Sequence, residues 1–374
     1  MVTPLDPPLS CSDLPGTLGG IGPAPEDFVV DEVPLYPMSG EGEHLFVRIR
    51  KVRLTTREAL RIVARAANVP DGEIGTAGLK DKHAVTTQWM SLPARRAGDP
   101  KNWALPPSVS VVETARHGNK LRTGHLAGNR FTIRLTGVEP DALARAEAIL
   151  RRIDERGLPN FFGAQRFGRG GSSLDDALAW LSGEAGEGPR RRVPPFERKL
   201  FASVVQAEAF NRYVVRRLGR GLEGPLEGEV VRLSGTGSQF VVLDVPKEEP
   251  RWKARDILPT GPIVGPKMRA ASGAPLAMER EALAELGLSE AALAALGRHG
   301  DGTRRDLLVW PEHLTVGPGE GGSIVVSMTL PAGSYATVLV RELTREPFFR
   351  DTAGTAGSGE PSLGTGSSAE PPSE

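Results

Sequence analysis

Eleven residues, Gly78-Leu79-Lys80-Asp81-Lys82-His83-Ala84-Val85-Thr86-Thr87-Gln88, set one carboxylate among two lysines and a histidine just after a flexible glycine. Neighbouring positive charge favours the ionised form of a carboxylate, and such a cluster draws in polyanions. A second segment with chemical potential runs from Asn160 to Gly171, where Phe161, Phe162 and Phe167 stand beside Gln165, Arg166 and Arg169. It reads as a loop gripping RNA at a domain junction, with glycine allowing close backbone approach. It reads equally as a linker whose aromatics plug an interdomain core. Phe162 and Phe167 are expected to pack, and Arg166 to meet phosphate.

Other patterns exclude chemistry. Gly168-Arg169-Gly170-Gly171-Ser172 lacks the Lys-Ser/Thr ending of a P-loop. His44, His83, His117 and His125 lie near the informative blocks but without zinc-ligand spacing. Cys11 is the only cysteine, so an internal disulfide, a CxxC zinc site and an iron–sulfur cluster are ruled out. No nucleophile elbow is visible. The formal net charge is zero, but the stretch from Asp351 to Glu374 holds four acids and no base, leaving +4 on the first 350 residues. An RNA surface must then come from local arginine clusters: Arg190-Arg191-Arg192, Arg216-Arg217 with Arg220, Arg116 with Lys120 and Arg122, and Arg304-Arg305. Each alone is ordinary surface charge; together they would form a phosphate track. The start of the chain lacks a basic, apolar leader, and no apolar run reaches the roughly 20 residues of a spanning helix. A cytoplasmic protein without a membrane partner is expected.

These residues need elements to hold them. Pro25 to Val30 reads as a strand. His44 to Val52 alternates, with Leu45, Val47 and Ile49 on one face and Phe46, Arg48 and Arg50 on the other. The second face suits an RNA-binding sheet, or a solvated surface with one stray aromatic. Leu54 to Asn68 reads as a helix with a Thr55/Glu58 capping box. Its Arg57, Arg61 and Arg65 form a stripe best read as solvated charge. Ile74–Ala77 and Val85–Leu92 are strands flanking the aspartate turn; Arg130–Thr136 is another. Asp141–Glu155 is an amphipathic helix. Helices are expected at about 174–183 and 197–218, strands at about 228–244, and short helices between 277 and 297. Strand-like stretches return at Leu307–Trp310 and Ile324–Thr329, then a helix from Ser334 to Leu343. The mixture indicates an α+β class.

Six blocks resemble the TruD family of tRNA pseudouridine synthases, in order and over roughly residues 25 to 345: Pro25 to Glu32, Gly40 to Leu45, Gly78 to Gln88, Gly128 to Phe131, Pro159 to Gly168, and Leu330 to Thr337. Between about 175 and 300 the likeness is thin. The resemblance implies that Asp81 is the catalytic residue, either attacking C1′ of uridine or acting as a base on the sugar. It places Phe28, Asn129 and Tyr335 against the target nucleotide, with Asn129 able to pair with a base edge. Phe28, and Phe131 beside it, would border the extruded uracil; Phe131 shares its face with Ile133 and Leu135, which also fits core packing. Tyr335 stands where the family often has Phe, so a passive hydrogen-bonding role is expected for its hydroxyl.

The family often carries a basic residue shortly before Pro-Glu-Asp-Phe, whereas this chain has Gly20-Ile21-Gly22-Pro23. Lys80 or Lys82 is expected to substitute, with His83, Gln165 and Arg166 in supporting or RNA-binding roles. Pseudouridine formation breaks and remakes one glycosidic bond, so no metal, coenzyme or redox step is needed. One carboxylate does not suit the two-carboxylate design of most glycoside hydrolases. The resemblance implies tRNA as partner, uridine 13 as target, and a pseudouridine synthase catalytic domain of mixed or antiparallel sheet. The expected plan is a loose arm at 1–20, a catalytic domain at 21–156 plus 303–350, an inserted domain at 157–302, and a disordered tail at 351–374. A synthase acting on another RNA, and a non-catalytic RNA-binding or chaperone protein on the same scaffold, remain as alternatives.

Overall fold

The computed structural model describes residues 5–189 and 192–349. Arg190, Arg191 and the 351–374 stretch, for which a track and a tail were expected, lie outside the described residues.

The chain is α+β, built on a nine-stranded mixed sheet. Across it the main strands run Glu312–Pro318, Ile324–Pro331, Leu126–Thr136, Phe28–Pro34, Val85–Pro93, His44–Val52 and Val109–His117. Two-residue strands at Gly20–Ile21 and Gly75–Thr76 pair alongside. Among the described residues only one neighbouring pair in this sheet is parallel, Phe28–Pro34 with Val85–Pro93, in register Val29↔Val85. Both strands therefore start at the same sheet edge, which brings Phe28 beside the turn that carries Asp81. Antiparallel pairing on the other side sets Glu32 opposite Asn129.

Parity explains most of the packing. Leu45, Val47 and Ile49 face the helix Thr56–Ala67 through its Ala59, Val63 and Ala67. That helix begins as expected, with Thr55 accepting from the Glu58 amide and Glu58 reaching back, a pattern that contributes about 1 kcal/mol. The opposite parity corrects the RNA-sheet expectation. Phe46 is fully buried in a second cluster with Ala77, Trp89, Leu121 and Leu126, and Arg48 pairs with Asp31 and Glu113. Segments 121–126 roof that face, so no stacking surface remains. Arg57, Arg61 and Arg65 are exposed, as a solvated stripe should be.

The second lobe is mainly helical. Pro195–Gly219 packs against Ser172–Ala185, Gly273–Ala284 and the sheet strand Ile257–Ile263. A four-stranded sheet runs Gln239–Val241, Val230–Leu233, Ile257–Ile263, Thr303–Asp306. It therefore closes with a strand beyond residue 302, the end expected for the inserted unit. Leu158–Pro159 pairs with Leu308–Val309, laying the chain's entry and exit side by side.

Residues 5–20 are not a loose arm. The Ser10 and Cys11 amides donate to the Glu342 carboxylate, Arg345 donates to the Cys11 and Leu14 carbonyls, and Thr17 bonds Leu343 O. Cys11 is buried in the main core. Tertiary hydrogen bonds override the Pro/Gly composition here. Among the described residues no helix is long and apolar enough to cross a membrane.

Candidate active site

Asp81 lies in the irregular segment leading into the Val85–Pro93 strand, and its side chain is exposed. The His83 amide donates to Asp81 Oδ1 at 2.8 Å, fixing the carboxylate rotamer. From below, the fully buried Lys51 donates Nζ to Asp81 O at 2.8 Å and to Leu54 O at 2.5 Å. Burial pushes the Lys51 ammonium down to about 8, Asp81 attracts and so supports the proton, and Lys80 repels it.

Lys80 is turned inward. Its amide donates to Thr56 Oγ1 at 2.8 Å, and that hydroxyl donates to Gln88 Oε1 at 2.9 Å. Its ammonium lies 2.8 Å from Glu32 Oε2 and donates to Asn129 Oδ1 at 2.7 Å. Glu32 in turn accepts from the Trp89 amide at 3.0 Å. Lysine has only donors to offer, so the Asn129 amide must present its oxygen to Lys80 and keep its NH2 for another acceptor. Asn129 owes its place to Gly128, where a Cβ would meet Leu330 O at 2.2 Å; only glycine lets the neighbouring strand approach so closely.

Two adjoining hollows meet at Asp81. One, of about 510 Å³, is lined by Phe28, Lys80, Asp81, Asn129, Phe131, Gln165, Arg166 and Tyr335, together with residues of the second lobe such as Gln206 and Arg305. The other, of about 670 Å³, includes Phe28, Asp81, His83 and Gln165 with the Ile21–Ala24 segment. Both are large enough for a nucleotide. The structure thus gathers every site residue expected from the sequence except Lys82, which lines neither hollow and whose charge acts on Glu58. Phe28 and Phe131 are tilted neighbours, centroids 6.1 Å apart. Phe131 belongs to the buried core as well as lining the cleft, so its two expected roles coincide. Tyr335 is nearly buried, 5.8 Å ring to ring from Phe162, and its hydroxyl has no partner among the described residues.

The wall where a base was missing has a steric reason for its sequence. A Cβ at Gly22 would meet Asp27 Oδ2 at 2.2 Å. Asp27 is itself buried, bonded by the Ala24 amide and paired with Arg134. No longer residue fits at 22 while Asp27 stays.

The arginine clusters divide. Arg217 is fully buried against Glu229, Arg304 is buried against Glu279, and Arg216 pairs with Glu281 and Glu285. These correct the expected track: Arg217 and Arg304 form internal ion pairs, and Arg216 is taken up by two exposed glutamates. Phe167 is fully buried in the helical core, as expected, and Phe162 half-buried. Among the described residues no cluster of His, Cys, Asp or Glu could hold a metal ion.

Sequence reasoning missed Lys51, Glu32 and Leu79. The first two carried a signal. Lys51 falls on the parity of Leu45, Val47 and Ile49, and Glu32 on that of Val30, so each charge sits where the strand pattern demands an apolar residue. Leu79 is an exposed apolar side chain beside Asp81 on the cleft wall, open to contact with a base.

Known proteins resemble this chain over most of its length. A family model described as tRNA pseudouridine synthase D (TruD) matches residues 5–172 and 182–343. The tRNA pseudouridine synthase D of Anaeromyxobacter sp. (strain Fw109-5) is 43% identical over 343 residues, 91% of this chain and 96% of the relative. That of Thermus thermophilus is 39% identical over 339 residues, 90% and 92% of the two chains. A crystal structure of a Methanosarcina mazei protein assigned as a tRNA pseudouridine synthase D superposes with a TM-score of 0.72 at 24% identity. It covers 90% of this chain and 95% of that one, and shows the shared fold.

Proposed function

From the premise that this chain belongs to the TruD family of tRNA pseudouridine synthases, an isomerase family, we propose that it converts the uridine at position 13 of tRNA into pseudouridine, with Asp81 as its single catalytic carboxylate. The observation that carries this reading is the convergence of Asp81, Phe28, Asn129 and Tyr335 on one nucleotide-sized cleft.

In this reading the target nucleotide leaves its stack and enters the cleft. Phe28, Leu79 and Tyr335 supply apolar surface for the uracil and exclude water during the interval when base and sugar are separated. The Asn129 NH2, free because Lys80 holds the amide oxygen, donates to a uracil carbonyl. Asp81, its Oδ1 held by the His83 amide, approaches the sugar. It either bonds C1′ as the C1′–N1 bond breaks, or removes the C2′ proton as the base departs to leave a glycal, and returns that proton to C2′ when the base rejoins. The base then turns and rejoins through C5, whose proton is lost to complete the isomerisation. Both routes need the carboxylate ionised and in reach of the sugar; neither needs a second carboxylate.

The division expected from the sequence belongs to the same proposal. Residues 157–302, with the strand Thr303–Asp306 that completes their sheet, would be an inserted domain and the surrounding nine-stranded sheet the catalytic one, with the tRNA between them. The adjacent entry and exit strands and the two-sided lining of the cleft support it. The proposed site of action is the cytoplasm, where tRNA is processed.

The test is tritium release from tRNA carrying 5-tritiated uridine, with mapping of the modified position. Wild type is expected to release tritium and modify uridine 13. Asp81→Asn should fall by about 10²–10⁴-fold if the carboxylate acts as a base, and further if it is the nucleophile. Equal release by both proteins would remove Asp81 from the chemistry.

A further inference from the structure

We infer that Arg166, Arg305 and the Tyr335 hydroxyl form a binding site for one phosphodiester group, gathered around the ring of Phe162 in the same cleft as Asp81; this rests on the RNA reading above.

Three donors converge there with no acid among the described residues to receive them. Arg166 is 6% exposed, its guanidinium lies 5.8 Å from the Phe162 centroid, and its Nε has no hydrogen-bond partner. Arg305 sits 4.2 Å over the same ring. Its bonds go only to neutral acceptors: Asn160 O at 3.3 and 3.2 Å, Asn160 Oδ1 at 2.7 Å and Gly333 O at 3.0 Å. The adjacent carboxylate, Asp306, is spent on Arg232 through contacts of 2.7 and 2.5 Å. The Tyr335 hydroxyl is buried and unpartnered, its ring 5.8 Å from Phe162.

Burial lowers the Arg305 guanidinium to about 10, with Tyr335 and Asp306 supporting its proton and Arg166 opposing it. It is still a cation at neutral pH. Two like charges side by side, one buried and one half-buried, with no counter-ion are unfavourable unless an anion completes them. The buried arginines described elsewhere in this lobe are built differently: Arg217 has Glu229, Arg304 has Glu279 and Arg212 has Glu208. The missing acid at Arg166 and Arg305 is therefore specific to the cleft.

The chemistry favours a phosphodiester. Its single charge and two non-bridging oxygens suit two guanidinium groups plus a hydroxyl, whereas a neutral uracil calls for no cation pair. The site gives Tyr335 a defined job: its ring borders the base and its hydroxyl bonds the backbone that leads to that base. Arg305, through Asn160 and Gly333, also ties the phosphate to both sides of the cleft.

The experiment uses tRNA assembled with a single neutral methylphosphonate at each linkage around the target uridine. Binding is measured with the full-length Asp81→Asn protein, so that turnover does not enter. One linkage should weaken binding about tenfold or more, and that penalty should vanish when Arg305→Met or Arg166→Met is added. The salt slope of binding should drop by about 0.7–1 in each arginine variant. Because Arg305 also holds Asn160 and Gly333, Arg305→Lys serves as the second variant: it should keep the salt slope and part of the linkage penalty. Tyr335→Phe should lose only a fraction of the penalty. Uniform penalties at all linkages, or a sensitive linkage unaffected by either arginine change, overturns the site. Wild-type pseudouridine formation on the unmodified RNA is scored separately. Its failure sinks the functional reading while the linkage result still judges the anion site.

Discussion

Around Asp81 each buried cation has acceptors: Lys80 holds Glu32 and Asn129, and Lys51 holds two backbone carbonyls. Around Phe162, in the same cleft, Arg166 and Arg305 have no carboxylate among the described residues. The difference separates two tasks. A reacting group must be held in one geometry before substrate arrives, so its supports are satisfied by the protein. A group that grips a polyanion does better with a valency left open, filled only in the complex. The buried pairs Arg217–Glu229 and Arg304–Glu279 are the control, because the same residue type with an acid beside it becomes framework.

The largest expected change comes from breaking the satisfied side. Lys80→Met leaves Glu32 buried without its cation and releases the Asn129 oxygen. Removing one partner of a buried pair destabilises by about 3–5 kcal/mol. Urea unfolding should show that loss, and adding Glu32→Gln should recover part of it. Recovery of stability without recovery of single-turnover rate would show that Lys80 acts on the reaction by orienting Asn129. Lys82→Met, at a residue outside both hollows, should leave the rate near wild type. If Lys82→Met instead abolished turnover with stability intact, the cation supporting Asp81 would be Lys82.

Arg217→Met tests the framework side. Stability should fall by a similar amount, about 3–5 kcal/mol, because Glu229 is left buried and unpaired. At a temperature where the variant is folded, its salt slope for tRNA binding should match wild type. A reduced slope would mean that Arg217 meets phosphate after all, and the contrast with Arg166 would collapse.

Lys51 gives a pH test. It titrates at about 8 in the folded protein, against 10.5 for a lysine free in water. Below about 8 both folded and unfolded chains hold the proton. Between the two values the unfolded chain binds one more proton than the folded one, so this group makes stability rise with pH. The rise amounts to roughly 3 kcal/mol over the interval, at 1.36 kcal/mol per unit. Subtracting the stability–pH curve of Lys51→Met from that of wild type should expose it. Single-turnover rate should fall as pH passes 8, when the charge beneath Asp81 is lost, and Lys51→Arg should move that fall upward. A flat difference curve would mean that Lys51 is not a strained buried charge.

Much of this candidate site was legible because its parts lie in short blocks that resemble those of the TruD family, in the same order. Asp81 stands between lysines, Asn129 follows a glycine, and Tyr335 follows Pro-Ala-Gly-Ser. What was not legible depended on what covers each surface. Alternation in His44–Val52 distinguishes two faces, but it does not say that residues 121–126 roof the second, so Phe46 looked available. An arginine run does not say which acid arrives from elsewhere in the chain: Glu229 and Glu279 are 12 and 25 residues from Arg217 and Arg304. The edge strands Val109–His117 and Glu312–Pro318 went unread because their side chains are mostly solvated and lack an apolar parity. The helix Val245–Lys253 was hidden by Pro250, and an Asp244 cap with a proline in its first turn sustains it nonetheless.

The smallest expected effect belongs to the Arg57, Arg61 and Arg65 stripe, and it bears on the comparison from outside. These three are exposed on the helix that packs over Lys51's strand, and among the described residues only Arg61 has an acid near, with Asp71 at 4.0 Å. Like Arg166 they lack tight partners, but water solvates them, so no buried charge awaits a ligand. Each Arg→Gln change should alter stability by at most about 0.5 kcal/mol. If the phosphate grip depends on desolvated guanidinium groups, the triple variant should leave the sensitive methylphosphonate linkage and its penalty unchanged. It should shift affinity only through long-range attraction that fades as salt rises past the range where the Debye length is about 10 Å. A triple variant that erased the linkage penalty would show that exposure, and not the missing acid inside the cleft, decides which arginines hold the RNA.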